Sequence, residues 1–182
     1  MKNENIIAYI LRLALTLLAI TAVVAAALAG VNSVTAPAIA ELNAQKTQEA
    51  IELVLPGGGE LVSDIPAVDL VSKVYASETG YAIEVTPGGF DNTITMMVGV
   101  DKAGSVLGIS IIKHTETAGL GAVAAASTPA GENFRGQFVG ASGSVSVTKD
   151  GGQMDAITGA TITSRAVCAG VNAALECAAQ MG

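Results

Sequence analysis

From Leu13 to Val31 the chain runs for 19 residues without a charged side chain, LALTLLAITAVVAAALAGV. At 1.5 Å per helical residue the run spans about 28 Å, against roughly 30 Å for the hydrocarbon core of a bilayer. Two readings compete for it. One is a single membrane span; the other is a cleaved signal peptide, because Ala27-Leu28-Ala29 before Gly30 has the small-residue form of a cleavage site. The run is longer than the apolar region of about 7–15 residues in a signal peptide, which favours the retained span. Lys2 and Arg12 precede the run and the next basic residue is Lys46, which predicts an N-terminus inside and the rest of the chain outside. The expected organisation is residues 1–31 as a cytoplasmic tip with one transmembrane helix, and residues 32–182 as an extracytoplasmic domain hung from it by 32–36.

Beyond residue 31 there are seven basic and fifteen acidic residues, a net charge of −8. Such a domain lacks the basic face that nucleic acid requires, and it would not cling to anionic headgroups. Contact with lipid is therefore expected through the N-terminal helix alone. With no Trp, three Tyr and three Phe, a flat aromatic cofactor would lean on aliphatic and backbone contacts. Cys168 and Cys177 offer no metal-binding spacing. Nine residues apart on one helix, they would lie on opposite faces roughly 13 Å apart along its axis, out of reach of a mutual disulfide.

The remaining pattern reads as an α+β domain with an antiparallel sheet flanked by helices. Thr35-Ala36-Pro37 has the form of a helix start, with Thr35 or Ala36 at the cap and Pro37 in the first turn. That helix is expected to reach about Leu55 and end at Pro56-Gly57-Gly58-Gly59. Residues 60–70 read as irregular. Lys73–Glu78, Gly80–Thr86, Thr93–Asp101 and Ser105–Lys113 read as strands, the last two joined by an Asp101-Lys102-Ala103-Gly104 turn. Ala122–Ser127 is expected to form a short helix. Phe134 and Phe138 at i, i+4 read as core or as a lid on a cofactor pocket, and Ser144–Lys149 as one more strand. A final helix follows from about Ser164, with Val167, Val171, Ala174, Leu175 and Ala178 as its inward stripe. No G-x-G-x-x-G follows a strand, so a Rossmann nucleotide-binding unit is not supported.

Two segments carry candidate chemistry. His114-Thr115-Glu116-Thr117-Ala118-Gly119-Leu120-Gly121 leaves a strand end and enters a glycine-rich turn, which frees backbone N–H groups. Asp155-Ala156-Ile157-Thr158-Gly159-Ala160-Thr161 delivers Thr161 to the point where a turn becomes a helix. There its hydroxyl can cap, and the N–H groups of Thr163 and Ser164 face a site that favours anions. Gly159 and Ala160 keep the approach narrow, and Arg165, one turn on, either reaches a phosphate or is solvated. His114 is the sole histidine, and no Ser-His-Asp or Cys-His set can be assembled.

D-x-x-T-G-A-T resembles the flavinylation motif of FMN-binding domains, and Asp155, Thr158, Gly159, Ala160 and Thr161 all match it. HTETAGLG resembles a second element of one such family, of the form H-x-E-T-P-G-L-G, with Ala118 where the family has Pro. The family is the G subunit of the Rnf ion-translocating ferredoxin:NAD oxidoreductase; the C subunit of the Na⁺-translocating NADH:quinone oxidoreductase is related. The resemblance implies FMN bound covalently to Thr161 through a phosphoester, with Thr158, Gly159 and Ala160 of the motif also binding the cofactor and Glu116, Thr117, Gly119, Leu120 and Gly121 against the flavin. Threonine is a poor nucleophile unaided, so a separate flavin transferase, with FAD as donor and Mg²⁺ at its own site, is implied, and Asp155 would serve recognition. The implied activity is electron transfer within a complex that moves Na⁺ or H⁺ across the cell membrane, the ferredoxin and NAD sites lying on partner subunits. The alternatives are the quinone-linked C subunit, for which this chain is short, a membrane-tethered flavin-based redox sensor, and an anchored domain in which T-G-A-T is only a cap.

Overall fold

The computed structural model describes residues 2–182. The chain divides into two compact units, one ending at Ala44 and one running Gln45–Gly182. In the first unit, the large apolar side chains between Leu13 and Val31 are more than half exposed, Val23 for example at 69%. The helix that carries them is long and apolar enough to cross a membrane.

That helix, α1, is Lys2–Val54, and Pro37 lies inside it. The helix start expected at Thr35 or Ala36 is therefore not made, and residues 32–36 are helical. The hydroxyls that would have capped a new helix turn back instead: Ser33 donates to the Gly30 carbonyl at 2.8 Å and Thr35 to that of Val31 at 3.0 Å. Such back-bonding uses up those hydroxyls, and Pro37 is carried inside α1 at the cost of its missing N–H bond and of its ring against the preceding turn.

In the second unit five strands form one antiparallel meander in chain order: β1 Glu60–Leu61, β2 Val71–Ala76, β3 Gly80–Val85, β4 Thr95–Asp101 and β5 Val106–Lys113. β1, which falls in the stretch expected to be irregular, is two residues long, too short to show a period. The β4–β5 turn is closed by the Asp101 carboxylate, which accepts from Ala103 N at 2.9 Å and Ser105 N at 2.8 Å.

Alternation along the strands sorts two cores. Tyr81, Ile83 and Val85 of β3 with Met96, Val98 and Val100 of β4 face one layer. Ala82 and Met97 face the other, where Ala50, Ile51, Val54 and Leu55 cover them. Gly99 shares that second face, and the close approach of the Val54 carbonyl oxygen leaves no room for a Cβ there. Each fully buried aliphatic side chain contributes roughly 1.5–3 kcal/mol.

The first layer is closed by α2, Pro129–Gly136, and by α3, Thr161–Met181. Between β5 and α2 lies a 3-10 turn, Gly121–Ala125, where a short helix is expected. Phe134 and Phe138 meet edge-on, centroids 5.5 Å apart, and both are buried in this core rather than forming a lid. All five residues of the expected inward stripe of α3 are buried. The two cysteines are free and buried on α3, and burial pushes the Cys168 thiol up to about 11. Tyr81 donates to the Met181 carbonyl at 3.3 Å, fastening the end of α3 to β3.

Ser144–Lys149 does not form the expected strand. Its backbone bonds go elsewhere: the Asn172 amide takes both polar groups of Val145, at 2.8 and 2.9 Å, and Thr148 N donates to Met154 O at 2.9 Å. The segment ends in a 3-10 turn, Thr148–Asp150. It runs beside α3 and hands the chain to the 155–161 turn.

Candidate functional site

Three segments converge at the first turn of α3. The first is the loop after β3, a hairpin-like arm in which Gly89 N donates to Asn92 O at 2.8 Å and Ile94 N to Pro87 O at 2.9 Å, with Phe90 at its tip. The second is the loop after β5. The third is the turn 155–160. They enclose a cleft of about 280 Å³ lined by Glu116, Thr117, Leu120 and Gly121 from the second segment and by Gly159, Ala160 and Thr161 from the third. The two motifs expected to share a cofactor are thus brought together. Thr163, whose N–H is expected to face an anion, also lines the cleft, as do Phe90, Lys149 and Ile162, which the sequence does not mark out.

Glu116 fastens the segments together. Its carboxyl group is buried, and each oxygen has a partner: Oε1 accepts from Phe90 N at 2.8 Å and Oε2 from the Thr163 hydroxyl at 2.5 Å. It sits between two glycines. A Cβ on Gly89 would collide with Oε1, and one on Gly121 with Oε2 and with the Thr163 hydroxyl. Glycine is therefore required on both sides by close approach.

The loop turns at Thr117–Leu120, where Leu120 N donates to Thr117 O at 3.1 Å and Gly119 has φ of 76°. A positive φ at the third position of a turn suits glycine, and the second position, Ala118, is one that proline occupies without strain in turns of this kind. Leu120 then leans on the other motif, since a Cβ on Gly159 would lie 3.0 Å from Leu120 Cδ2.

The four hydroxyls between 158 and 164 differ sharply. Ser164 is fully buried; its oxygen accepts from Ile157 N at 3.0 Å and donates to Ala160 O at 3.0 Å. Thr163 is 1% exposed and committed to Glu116. Thr158 is exposed but lines a neighbouring groove of about 620 Å³ together with Gly119 and Asp155. Thr161 is half-buried, opens into the cleft, and accepts from Lys149 Nζ at 3.2 Å.

Two details of the expected motif change. Thr161 is the first residue of α3 and Ala160 stands at the cap with no side-chain bond, so the Thr161 hydroxyl is not a cap. The physical reason is Ser164, whose hydroxyl already ties the preceding turn to the helix. Nor is the Ser164 N–H open to an anion, because it donates to Ala160 O at 3.0 Å. Arg165 is not directed at the cleft. It holds Asp150 with two bonds, at 2.7 and 2.6 Å. That bidentate guanidinium contact holds the Asp150 carboxyl below its ordinary range.

Asp155 is exposed, and its backbone is clasped by Gln137, which accepts from Asp155 N at 2.7 Å and donates to Asp155 O at 3.3 Å. Asp155, Thr158 and Gly119 are thus held beside the cleft rather than in it.

Residues 89–176 match the family described as FMN-binding domain. That span begins at the Phe90 arm and takes in the whole cleft. The chain is 35% identical over 180 residues to the G subunit of the ion-translocating oxidoreductase complex of Methanosarcina acetivorans, covering 92% of this chain and 93% of the relative. It is 33% identical over 194 residues to the G subunit of the Na⁺-translocating ferredoxin:NAD⁺ oxidoreductase complex of Acetobacterium woodii, covering 92% and 90%. Against the corresponding G subunit of Vibrio cholerae it is 42% identical over 102 residues, 54% of this chain and 49% of that one. The chain belongs to the G-subunit family of ion-translocating oxidoreductase complexes.

Proposed function

We propose that this chain is the FMN-carrying electron-transfer subunit of a membrane-bound complex that couples ferredoxin and NAD redox chemistry to translocation of Na⁺ or H⁺, with FMN held on Thr161 by a phosphoester. Family membership supports the complex. The observation that carries the linkage is the sorting of the hydroxyls: Thr161 alone among the four both opens into the cleft and has an oxygen not already committed to the fold.

The residues present fit FMN. Phe90, Leu120 and Ile162 are 65%, 43% and 49% exposed at the cleft and offer apolar surface to a flat ring. Gly159, exposed at the cleft, lets it approach the backbone. The first N–H groups of α3 favour a phosphate near Thr161. Bound FMN supplies a ring that takes up and releases electrons. The protein's own residues hold and wall it: Glu116 fixes the Phe90 arm, Leu120 and Gly159 meet on one side, and Thr117 and Gly121 complete the lining.

Attachment is a group transfer in which a flavin transferase presents FAD with its Mg²⁺. The Thr161 oxygen forms a bond to the phosphorus of the FMN half, the pyrophosphate P–O bond breaks, AMP leaves with the electron pair, and the hydroxyl proton passes to a base of the transferase. Asp155, Thr158 and Gly119 lie beside the cleft, where a transferase reading the motif would touch them. In this reading residues 1–31 stay as a membrane anchor with the N-terminus in the cytoplasm, and 32–182 stand outside the cell membrane.

The chain should be co-expressed with a flavin transferase and separated by denaturing electrophoresis. The band is expected to fluoresce, to have an intact mass that includes the residues before Gly30, and to come from membranes together with other subunits. A band without fluorescence contradicts the linkage, a mass starting near Gly30 contradicts the anchor, and a fluorescent chain that purifies alone favours the redox-sensing module.

A further inference from the structure

Among the described residues that line the cleft, Lys149 is the one that carries a positive charge. It belongs to a part of the chain with no motif, six residues before Asp155, and folding brings its Nζ to 3.2 Å from the Thr161 hydroxyl oxygen. Its position is fixed by its neighbours. Lys149 sits in the 3-10 turn Thr148–Asp150, and Asp150 next to it is bound at 2.7 and 2.6 Å by Arg165 of α3. The ion pair ties that turn to the helix that Thr161 begins.

The geometry points to Lys149 as the counter-ion of the phosphate on Thr161, a positioning residue that holds this group and speeds its attachment; this rests on the phosphoester reading above. A phosphate joined to both threonine and the flavin chain is a diester with one negative charge and two free oxygens. A single ammonium with three donors matches that charge and can follow either oxygen. Before attachment, Lys149 donates to the Thr161 oxygen and stabilises negative charge that develops there as the oxygen attacks. Afterwards the free phosphate oxygens stand two bonds beyond that oxygen, through the phosphorus, within reach of the same ammonium. The domain carries fifteen acidic residues against seven basic ones beyond residue 31, so an anion here meets a repulsive surrounding field unless a local cation offsets it. Arg165, the nearest alternative by sequence, has its guanidinium engaged by Asp150.

The test uses the full chain in detergent, made without a transferase and then supplied with purified transferase, FAD and Mg²⁺. Lys149→Met removes the charge and keeps the length; Lys149→Arg keeps the charge. Charge-assisted bonds of this kind correspond to about tenfold or more in rate, so Lys149→Met is expected to take up FMN at least about tenfold more slowly while Lys149→Arg stays within about threefold of the parent. Once labelled to completion, Lys149→Met is expected to show a displaced ³¹P resonance for the diester. A Lys149→Met protein that takes no flavin while Lys149→Arg does supports the same role. An unchanged ³¹P resonance overturns the proposal whatever the rate, and so does Lys149→Arg behaving like Lys149→Met. Failure of the unaltered chain to take up FMN sinks the phosphoester reading instead.

Discussion

The loop 114–121 and the turn 155–161 meet across one cleft, yet they are built on opposite terms. In the loop the key side chain, Glu116, faces inward with both oxygens bonded to protein partners. In the turn the key side chain, Thr161, faces the cleft and meets only the tip of a lysine. One region is closed on itself and can act only by holding shape. The other is open and can be modified without disturbing the fold. A motif residue's role is thus read from whether its polar atoms are already used by the protein.

The largest effect belongs to the closed side. Glu116→Ala leaves the part-buried Phe90 N–H and the buried Thr163 hydroxyl without their partner, and at about 1–3 kcal/mol for each the loss is at most roughly 2–6 kcal/mol in urea unfolding. Glu116→Gln keeps the shape and one acceptor, and is expected to lose about 1 kcal/mol. It should retain covalent flavin while shifting its absorption spectrum or midpoint potential. Equal losses in the two variants would mean that the carboxyl group does not clamp the arm, and an unaltered spectrum that it lies away from the ring.

A smaller effect, of opposite sign, is expected where the loop turns. Ala118 occupies the second position of the Thr117–Leu120 turn, whose third residue, Gly119, has φ of 76°. Ala118→Pro stiffens the unfolded chain at a place that suits proline, and is expected to raise stability by about 0.4–1 kcal/mol. A measured decrease would show that the loop departs from this turn geometry.

Much of this site is legible in the residues. Both motifs are visible as strings, and the antiparallel sheet follows from alternation between turn signals. What is not legible comes from tertiary placement. Phe90 follows Pro87-Gly88-Gly89, which marks a break but not an arm reaching to Glu116. Lys149 carries no pattern, and its approach to Thr161 depends on the Arg165–Asp150 pair. The helix start expected at Pro37 fails because Ser33 and Thr35 bond back into α1 instead of capping. The cap expected at Thr161 falls one residue earlier because Ser164, fully buried, takes over the task of joining turn to helix.

The contrast between open and closed sides comes to rest on one hydroxyl. Because Thr161 does not cap α3, Thr161→Ala is expected to change stability by no more than about 0.5 kcal/mol, so loss of flavin in that variant is not loss of fold. The decisive measurement is peptide mass mapping of the flavin-bearing fragment after co-expression with a flavin transferase, run beside Thr161→Ala. The account predicts FMN on Thr161 in the parent and a folded, flavin-free variant. Flavin found on Thr158, Thr163 or Ser164, or a Thr161→Ala chain that still carries covalent FMN, would contradict it.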